Sequence, residues 1–374
     1  MSKAPSTSFA DTKPHYPILD GLRGIAALVV VWYHIFEAFA TSHLDQIINH
    51  GYLAVDFFFM LSGFVLAYAY DDRWSKMSAG AFLKRRLIRL HPMVLFGAVL
   101  GAALFYTQGC DAWDVSKVSL GMLLVGLGLN LLLIPAPSAY EVRGLGEMYP
   151  LNGPSWSLFF EYLGNLLYAF VLRRLPLAAL KVIVLLSGLG LLGIAVWSSQ
   201  GDLCVGWAVT SEQIVGGSLR LIFAMTMGLV LCRSFRPSSS QHSLYWGGGV
   251  LILLAVLPRI GGAEFFWLNG LYDTLAVVLA FPLIIYFAAS EQIASPRLRQ
   301  VCSTLRELSY PLYLVHYPFL YCYYAWVKNH ELSFVDSLPG ALALFFGSIA
   351  LAWLVLRLYD APLRQWLAKH WLSR

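Results

Sequence analysis

Apolar stretches long enough to cross a bilayer follow one another at short intervals through this chain, from Ile18–Ala40 to Leu338–Tyr359. In hydrocarbon every backbone N–H and C=O has to be paired within the protein, so such a chain folds as spanning helices or as a closed barrel. The runs are continuous rather than alternating, and many approach the roughly 20 residues a helix needs to cross a core of about 30 Å. The sequence therefore predicts an all-α, polytopic membrane bundle. Composition agrees, with 58% hydrophobic and 13% charged residues among 374, where a soluble domain has about 45–50% and 25%. No stretch is left over for a separate soluble domain, and a net charge of +5 is too modest to call for a nucleic-acid partner.

About ten crossings are expected, near residues 18–40, 52–70, 90–106, 156–172, 177–197, 214–232, 244–257, 271–288, 309–326 and 338–359. Their direction follows from where Lys and Arg fall. Segment 71–89 carries Arg73, Lys76, Lys84, Arg85, Arg86 and Arg89 and is assigned to the cytoplasm, which places the N-terminus there too. A further run, 118–134, is rich in Gly and followed by Pro135 and Pro137. If it crossed, Arg173, Arg174, Lys181, Arg233, Arg236, Arg297, Arg299 and Arg306 would all lie outside. If it does not, they lie inside with Arg364, Lys369 and Arg374, and only Arg259 and Lys328 are out of place. The run is therefore expected to be re-entrant or peripheral. This divides the chain into a cytoplasmic tail at 1–17, a membrane domain at 18–367 and a cytoplasmic tail at 368–374. Met1–Pro17 lacks the basic region and small-residue cleavage site of a signal peptide, so the first span is expected to be retained.

Ionisable residues inside such spans are costly, on the order of 2.5–3.5 kcal/mol each on insertion scales, and mark sites or pathways. Arg23 and His34 lie in the first span, roughly 16 Å apart at the helical rise of about 1.5 Å per residue. Counted from the outer ends of their spans, His34, Asp56, Glu161 and Arg220 are expected to share one layer. A histidine beside a carboxylate suits general-base chemistry on a hydroxyl, and Glu37, three residues after His34 on the same helix face, is its local candidate orienter. The basic group Lys84, Arg85, Arg86 and Arg89 reads either as a topology signal facing anionic lipid or as a phosphate site at the cytoplasmic mouth. His316 in the mid-span sequence LYLVHYP is an open candidate, while the aromatic density of 312–326 is assigned mostly to packing and the interface belt. Gly188, Gly190 and Gly193 spell GxGxxG without a preceding strand, so no dinucleotide site is expected. Gly97 and Gly101 form a helix-packing pair. The cysteines at 110, 204, 232, 302 and 322 have no metal-binding spacing, and no metal is expected.

Several separated segments together resemble the membrane acyltransferase-3 family, which includes the O-antigen and exopolysaccharide O-acetyltransferases. LDGLRGIAALVVVWYH resembles its first helix with Arg-x10-His, and GYLAVDFFFMLSGFVLAY its G-x-x-x-V-D-x-F-F-x-L-S-G-F segment. RRLIRLHP resembles its R-x-x-R segment, and NGPSWSLFFEYLGNLLYAF its W-S-L-x-x-E segment. LRELSYPLYLVHYPFL and YDAPLRQWL resemble its last helices. Two features depart from the family pattern: SLFFEYLGN stands where SLSVEEQFY is common, and no fused hydrolase-like domain follows the last span.

The resemblance implies a ten-helix enzyme that takes an acyl group, usually acetyl, from cytoplasmic acyl-CoA and delivers it to a hydroxyl on an extracytoplasmic glycan or glycolipid, such as an exopolysaccharide or lipopolysaccharide. It implies a bacterial cytoplasmic membrane location. His34, with Glu161 and Asp56, would carry catalysis. Arg23, Arg86 and Arg89, with neighbouring Arg85, would hold acetyl-CoA, whose phosphates suit the arginine fork. Trp156, Ser157, Arg220 and His316 are the expected acceptor contacts. Either His34 deprotonates the acceptor directly or it first becomes acylated. The competing readings are another multi-span acyltransferase working through a mid-membrane histidine, and a transporter or flippase with a charged permeation path.

Overall fold

The structure is a computed structural model that describes residues 13, 15–40, 45–198, 201–238 and 240–372. Residues 1–12 and 14 of the expected N-terminal tail, and 373–374 of the C-terminal one, lie outside this description. Among the described residues the chain is all-helical, with only isolated β-bridges. The helices are α1 (Pro17–Glu37), α2 (Ala54–Tyr70), α3 (Ala79–Leu104), α4 (Leu120–Leu131), α5 (Ser155–Phe170), α6 (Leu177–Trp197) and α7 (Ser211–Arg233). They continue with α8 (Ser243–Val256), α9 (Phe266–Leu275), α10 (Phe281–Ser290), α11 (Pro296–Asn329), α12 (Phe334–Val355) and α13 (Ala361–Trp371). Single π-helical turns at Ala276–Ala280 and Leu356–Asp360 join α9 to α10 and α12 to α13.

Among the described residues seven helical stretches are long and apolar enough to cross a membrane: Pro17–Glu37, Gly51–Tyr70, Ala79–Thr107, Leu177–Trp197, Ser211–Arg233, Phe266–Ser290 and Phe334–Trp371. Sequence reading expects about ten, and the difference has physical causes. Helices α4, α5 and α8 have 12, 16 and 14 residues, rising about 18, 24 and 21 Å, less than the roughly 30 Å hydrocarbon core. Helix α11 has 34 residues, but its charge-free part, residues 309–326, is diluted by tyrosines, His316, Pro311 and Pro318 and is not apolar enough to count. Lys84, Arg85, Arg86 and Arg89 belong to the first turns of α3, so Arg86 and Arg89, three apart, share a helix face.

Close backbone approach holds the bundle together. A Cβ on Gly63 of α2 would lie 2.0 Å from the Met225 carbonyl oxygen of α7, and one on Gly228 of α7 would lie 2.1 Å from that of Met60. Small residues let membrane helices meet at such distances and gain dispersion contacts that lipid does not offer. Gly24 likewise brings α1 against α11, where a Cβ would lie 2.4 Å from Leu305 Cβ. By contrast α6 turns Val182, Leu185, Leu186 and Leu189 outward, a lipid-facing stripe.

One interlock determines the shape of the site. Pro318 in α11 has no N–H to give the Leu314 carbonyl one turn earlier. Asn152 supplies the missing donor through Nδ2 at 2.9 Å. Gly97 of α3 makes room for that amide, since a Cβ there would sit 2.4 Å from Asn152 Nδ2, and Gly101 makes room for the Leu151 carbonyl. The Gly97–Gly101 pair thus seats the turn before α5 in the groove between α3 and α11. All five cysteines are free thiols.

Candidate active site

A cleft opens between α1, α2, α3, α5 and α11. Its polar wall is Asp20 and Arg23 from α1, Ser62 from α2, Arg86 and Arg89 from α3, and Glu161 from α5. Arg86 Nη2 donates to Glu161 Oε1 at 2.7 Å, and the Ser62 hydroxyl donates to the same oxygen at 2.7 Å. Among the described residues neither Arg23 nor Arg89 forms an ion pair within 4 Å. Asp20 is shared with Arg306, 3.8 Å away. Three guanidinium groups therefore face two carboxylates, one of which is partly engaged elsewhere. A cationic surplus at membrane depth is stabilised by an anion, and the guanidinium fork fits phosphate in particular. Arg85 turns away from the cleft and donates to the Ala81 carbonyl of its own helix at 3.1 Å.

The far end of the cleft is lined by Tyr313, whose hydroxyl shares a 2.9 Å hydrogen bond with Ser157. Beyond it the ring of His316 lies 6.1 Å from that of Tyr313, and the ring of His34 lies 5.5 Å from that of His316. His34 Nδ1 is 2.6 Å from Glu37 Oε2. A carboxylate only accepts, so Nδ1 carries the proton and, in the neutral ring, Nε2 keeps its lone pair. His316 is fully buried and its Nδ1 donates to the Leu312 carbonyl at 3.0 Å. That fixes the second lone pair on His316 Nε2, which has no hydrogen-bond partner among the described residues.

Asp56 and Arg220 form a separate, closed unit. Arg220 Nε and Nη2 donate to both Asp56 oxygens at 2.7–3.2 Å, while Nη1 and Nη2 reach the Val205 and Tyr52 carbonyls. The Trp156 ring lies 5.2 Å from the guanidinium carbon. Both charged side chains are buried and spent on each other. A second buried lattice, His50–Asp273–Tyr52–Arg259–Asp202, fastens the 201–207 loop beside them, with Arg259 paired to Asp202 at 2.7 Å. Arg259, one of the two basic residues that the charge count leaves out of place, is thereby neutralised.

The expected single layer of His34, Asp56, Glu161 and Arg220 resolves into three stations. Glu161 joins Arg86 in the basic cleft, Asp56 joins Arg220, and His34 joins Glu37 and His316. Depth counted from the first residue of α5 misplaces Glu161 because the turn before it has already dipped between α3 and α11. Sequence reading also passes over Tyr313, Tyr317 and Tyr321, which recur every four residues on α11 and so share one face with His316. The Tyr317 ring packs edge-on against His34 at 4.8 Å. Its hydroxyl donates to Glu147 Oε1 at 3.4 Å, and Tyr321 donates to Glu147 Oε2. Burial pushes the Glu147 carboxyl up from 4.5 to about 7, with Arg143 opposing the rise.

The folded state therefore keeps a proton that the unfolded chain has lost between pH 4.5 and about 7, so stability falls as pH rises through that window. Glu147→Gln, neutral throughout, is expected to raise the thermal midpoint above wild type more at pH 8 than at pH 5. Intrinsic-fluorescence melts in detergent would show this. An equal offset at both pH values would mean that Glu147 is already ionised in the folded protein.

The sequence profile of an acyltransferase domain matches residues 16–357. The chain belongs to the acyltransferase-3 family. It is 37% identical over 177 residues to protein 2 in the picA locus of Rhizobium radiobacter, a match covering 45% of this chain and 85% of that protein. It is 32% identical over 181 residues to the acyltransferase MdmB of Streptomyces mycarofaciens, covering 44% of this chain and 42% of that one. It is 38% identical over 87 residues to the O-acetyltransferase OatA of Staphylococcus aureus, covering 22% and 13%. No solved structure matches. Family and fold together make this a multi-pass membrane acyltransferase. Within the acyltransferase-3 domain, the match takes in the basic cleft and both histidines.

Proposed function

We propose that this acyltransferase moves a short acyl group, most simply acetyl, from acetyl-CoA to a hydroxyl of an extracytoplasmic glycan or glycolipid. One observation carries the proposal. A cleft with two unpaired arginines and a carboxylate-oriented histidine lie at separated levels of the same helix, α1, roughly 16 Å apart by helical rise. The nucleotide phosphates of the donor match Arg23 and Arg89, with Arg86 held ready by Glu161. The pantetheine arm then runs past Tyr313 and Ser157 and brings the thioester to His34. MdmB and OatA, named as an acyltransferase and an O-acetyltransferase, support the class of chemistry.

The Lys and Arg distribution supports donor entry from the cytoplasm of a bacterial inner membrane, with both termini on that side and about ten crossings in which α5, α8 and α11 take part. In this arrangement α4 does not cross, which keeps the basic residues after it on the cytoplasmic side. Asp56 and Arg220 act through the frame: they fix α2 against α7 and hold Trp156 in place. Their charges are too fully engaged with each other to move a proton during turnover.

Donor binding tests the assignment. Each charge-assisted hydrogen bond contributes about 1.5–3 kcal/mol, and 1.4 kcal/mol is tenfold in affinity. Arg89→Ala and Arg23→Ala are each expected to weaken acetyl-CoA binding about tenfold or more by calorimetry, with a smaller loss for dephospho-CoA or pantetheine. Unchanged affinity in the double variant would remove the phosphates from this cleft.

A further inference from the structure

The site contains one more base than direct acyl transfer requires. His34 and His316 each spend Nδ1–H on a fixed acceptor, Glu37 Oε2 and the Leu312 carbonyl respectively. Each therefore presents a lone pair at Nε2. Their rings are 5.5 Å apart and tilted by 31°. Among the described residues His316 Nε2 is buried without a partner, and an unpaired buried polar atom is destabilising. That cost is offset if substrate supplies the missing hydrogen bond. The surroundings offer no alternative donor role: the Tyr313 hydroxyl is engaged with Ser157 and the Tyr317 hydroxyl with Glu147. Structural histidines usually have both nitrogens satisfied; this one has a single nitrogen tied back to its own helix and the other left open beside His34.

We propose that the two histidines divide the reaction, His34 carrying the acyl group and His316 acting as the base for the acceptor. The inference rests on the acyl-CoA reading of the site given above. In the first half, His34 Nε2 bonds to the thioester carbonyl carbon and the C–S bond breaks, leaving CoA as thiolate. Glu37 stabilises the positive acyl-imidazolium through Nδ1–H. In the second half, the acceptor oxygen bonds to the acyl carbon while its proton passes to His316 Nε2. The carbon–nitrogen bond then breaks and returns its electron pair to His34. The thiolate leaves with the first half and takes its proton from water, while His316 passes the acceptor's proton to solvent, so CoA is freed as the thiol and both rings regain their starting tautomers. A single histidine cannot do both tasks, because its Nε2 lone pair is occupied by the acyl group when the hydroxyl arrives.

The test follows CoA release from acetyl-CoA by purified full-length protein, with water and added glycerol as hydroxyl acceptors and hydroxylamine as an acceptor that needs no base. Wild type is expected to release CoA continuously and His34→Ala not at all. His316→Gln should release one equivalent of CoA per protein and then run at least 100-fold slower than wild type, within the range that general-base catalysis supplies. The label should rest on His34 by mass spectrometry. Hydroxylamine should restore turnover to His316→Gln, a rescue that a packing defect would not show. Acetyl-CoA affinity checks that the variant is folded, with His316→Asn as the second variant if Gln alters it. Steady release by His316→Gln within threefold of wild type, absence of the single equivalent, or failure of hydroxylamine to rescue would overturn the division of roles. If wild type releases no CoA, or His34→Ala releases as much, the underlying acyl-CoA reading fails instead.

Discussion

His34→Ala is expected to reduce acyl transfer by about 10²–10⁴-fold, while acetyl-CoA affinity, set at the Arg23 and Arg89 end of the cleft, stays within a few-fold of wild type. The separation of the two effects comes from geometry. His34 sits past Tyr313, with its Nδ1 held 2.6 Å from Glu37, and makes no contact with the basic wall. Glu37→Gln keeps an acceptor oxygen for Nδ1–H but removes the charge that stabilises the imidazolium, so it should cost less than His34→Ala. Steady-state CoA release and donor titration on the same preparations would check both. A His34→Ala protein that transfers normally, or one that has lost donor binding in proportion to its activity, would contradict this placement.

The second large effect is on stability. Asp56→Ala leaves Arg220 with its guanidinium buried and its main counter-ion gone, and breaking a buried pair in this way costs about 3–5 kcal/mol. Arg220 would keep only the Val205 and Tyr52 carbonyls. The expected result is a protein that loses its monodisperse peak in detergent or melts far below wild type. Asp56→Leu combined with Arg220→Met, which removes both charges at similar volume, should recover much of that loss, as buried pairs often exchange neutrally for apolar ones. If Asp56→Ala instead melts like wild type but is inactive, Asp56 belongs to the chemistry rather than to the frame.

Helical class and membrane residence were legible because apolar runs without alternation leave the backbone few choices. The contact between His34 and Glu37 was legible for a local reason, since side chains three apart on a helix meet. The pairing of Glu161 with Arg86 was not, because it joins residues 75 apart and depends on how deeply the turn before α5 is seated. That depth is fixed by Asn152 filling the hydrogen-bond vacancy left by Pro318, an interaction that no hydropathy pattern contains. The tyrosines of α11 illustrate the opposite difficulty. Their four-residue spacing is plain in the sequence, yet the same spacing serves lipid-facing and core-facing stripes alike. Only the position of Glu147 and His34 against them gives Tyr317 and Tyr321 their meaning. Span count was the least legible quantity, because α5 and α8 are short and the spanning part of α11 is rich in tyrosine rather than aliphatic.

The claim that donor and acceptor chemistry meet across one membrane domain can be tested with sealed vesicles. The protein is reconstituted with its C-terminus outward, and the lumen is loaded with bacterial exopolysaccharide. Acetyl-CoA labelled in the acetyl group, which does not cross the bilayer, is added outside. Free CoA is expected outside while labelled O-acetyl esters accumulate on the polysaccharide in the lumen, and His34→Ala is expected to abolish both. Label and CoA recovered on the same side, or equal signals from wild type and His34→Ala, would contradict it.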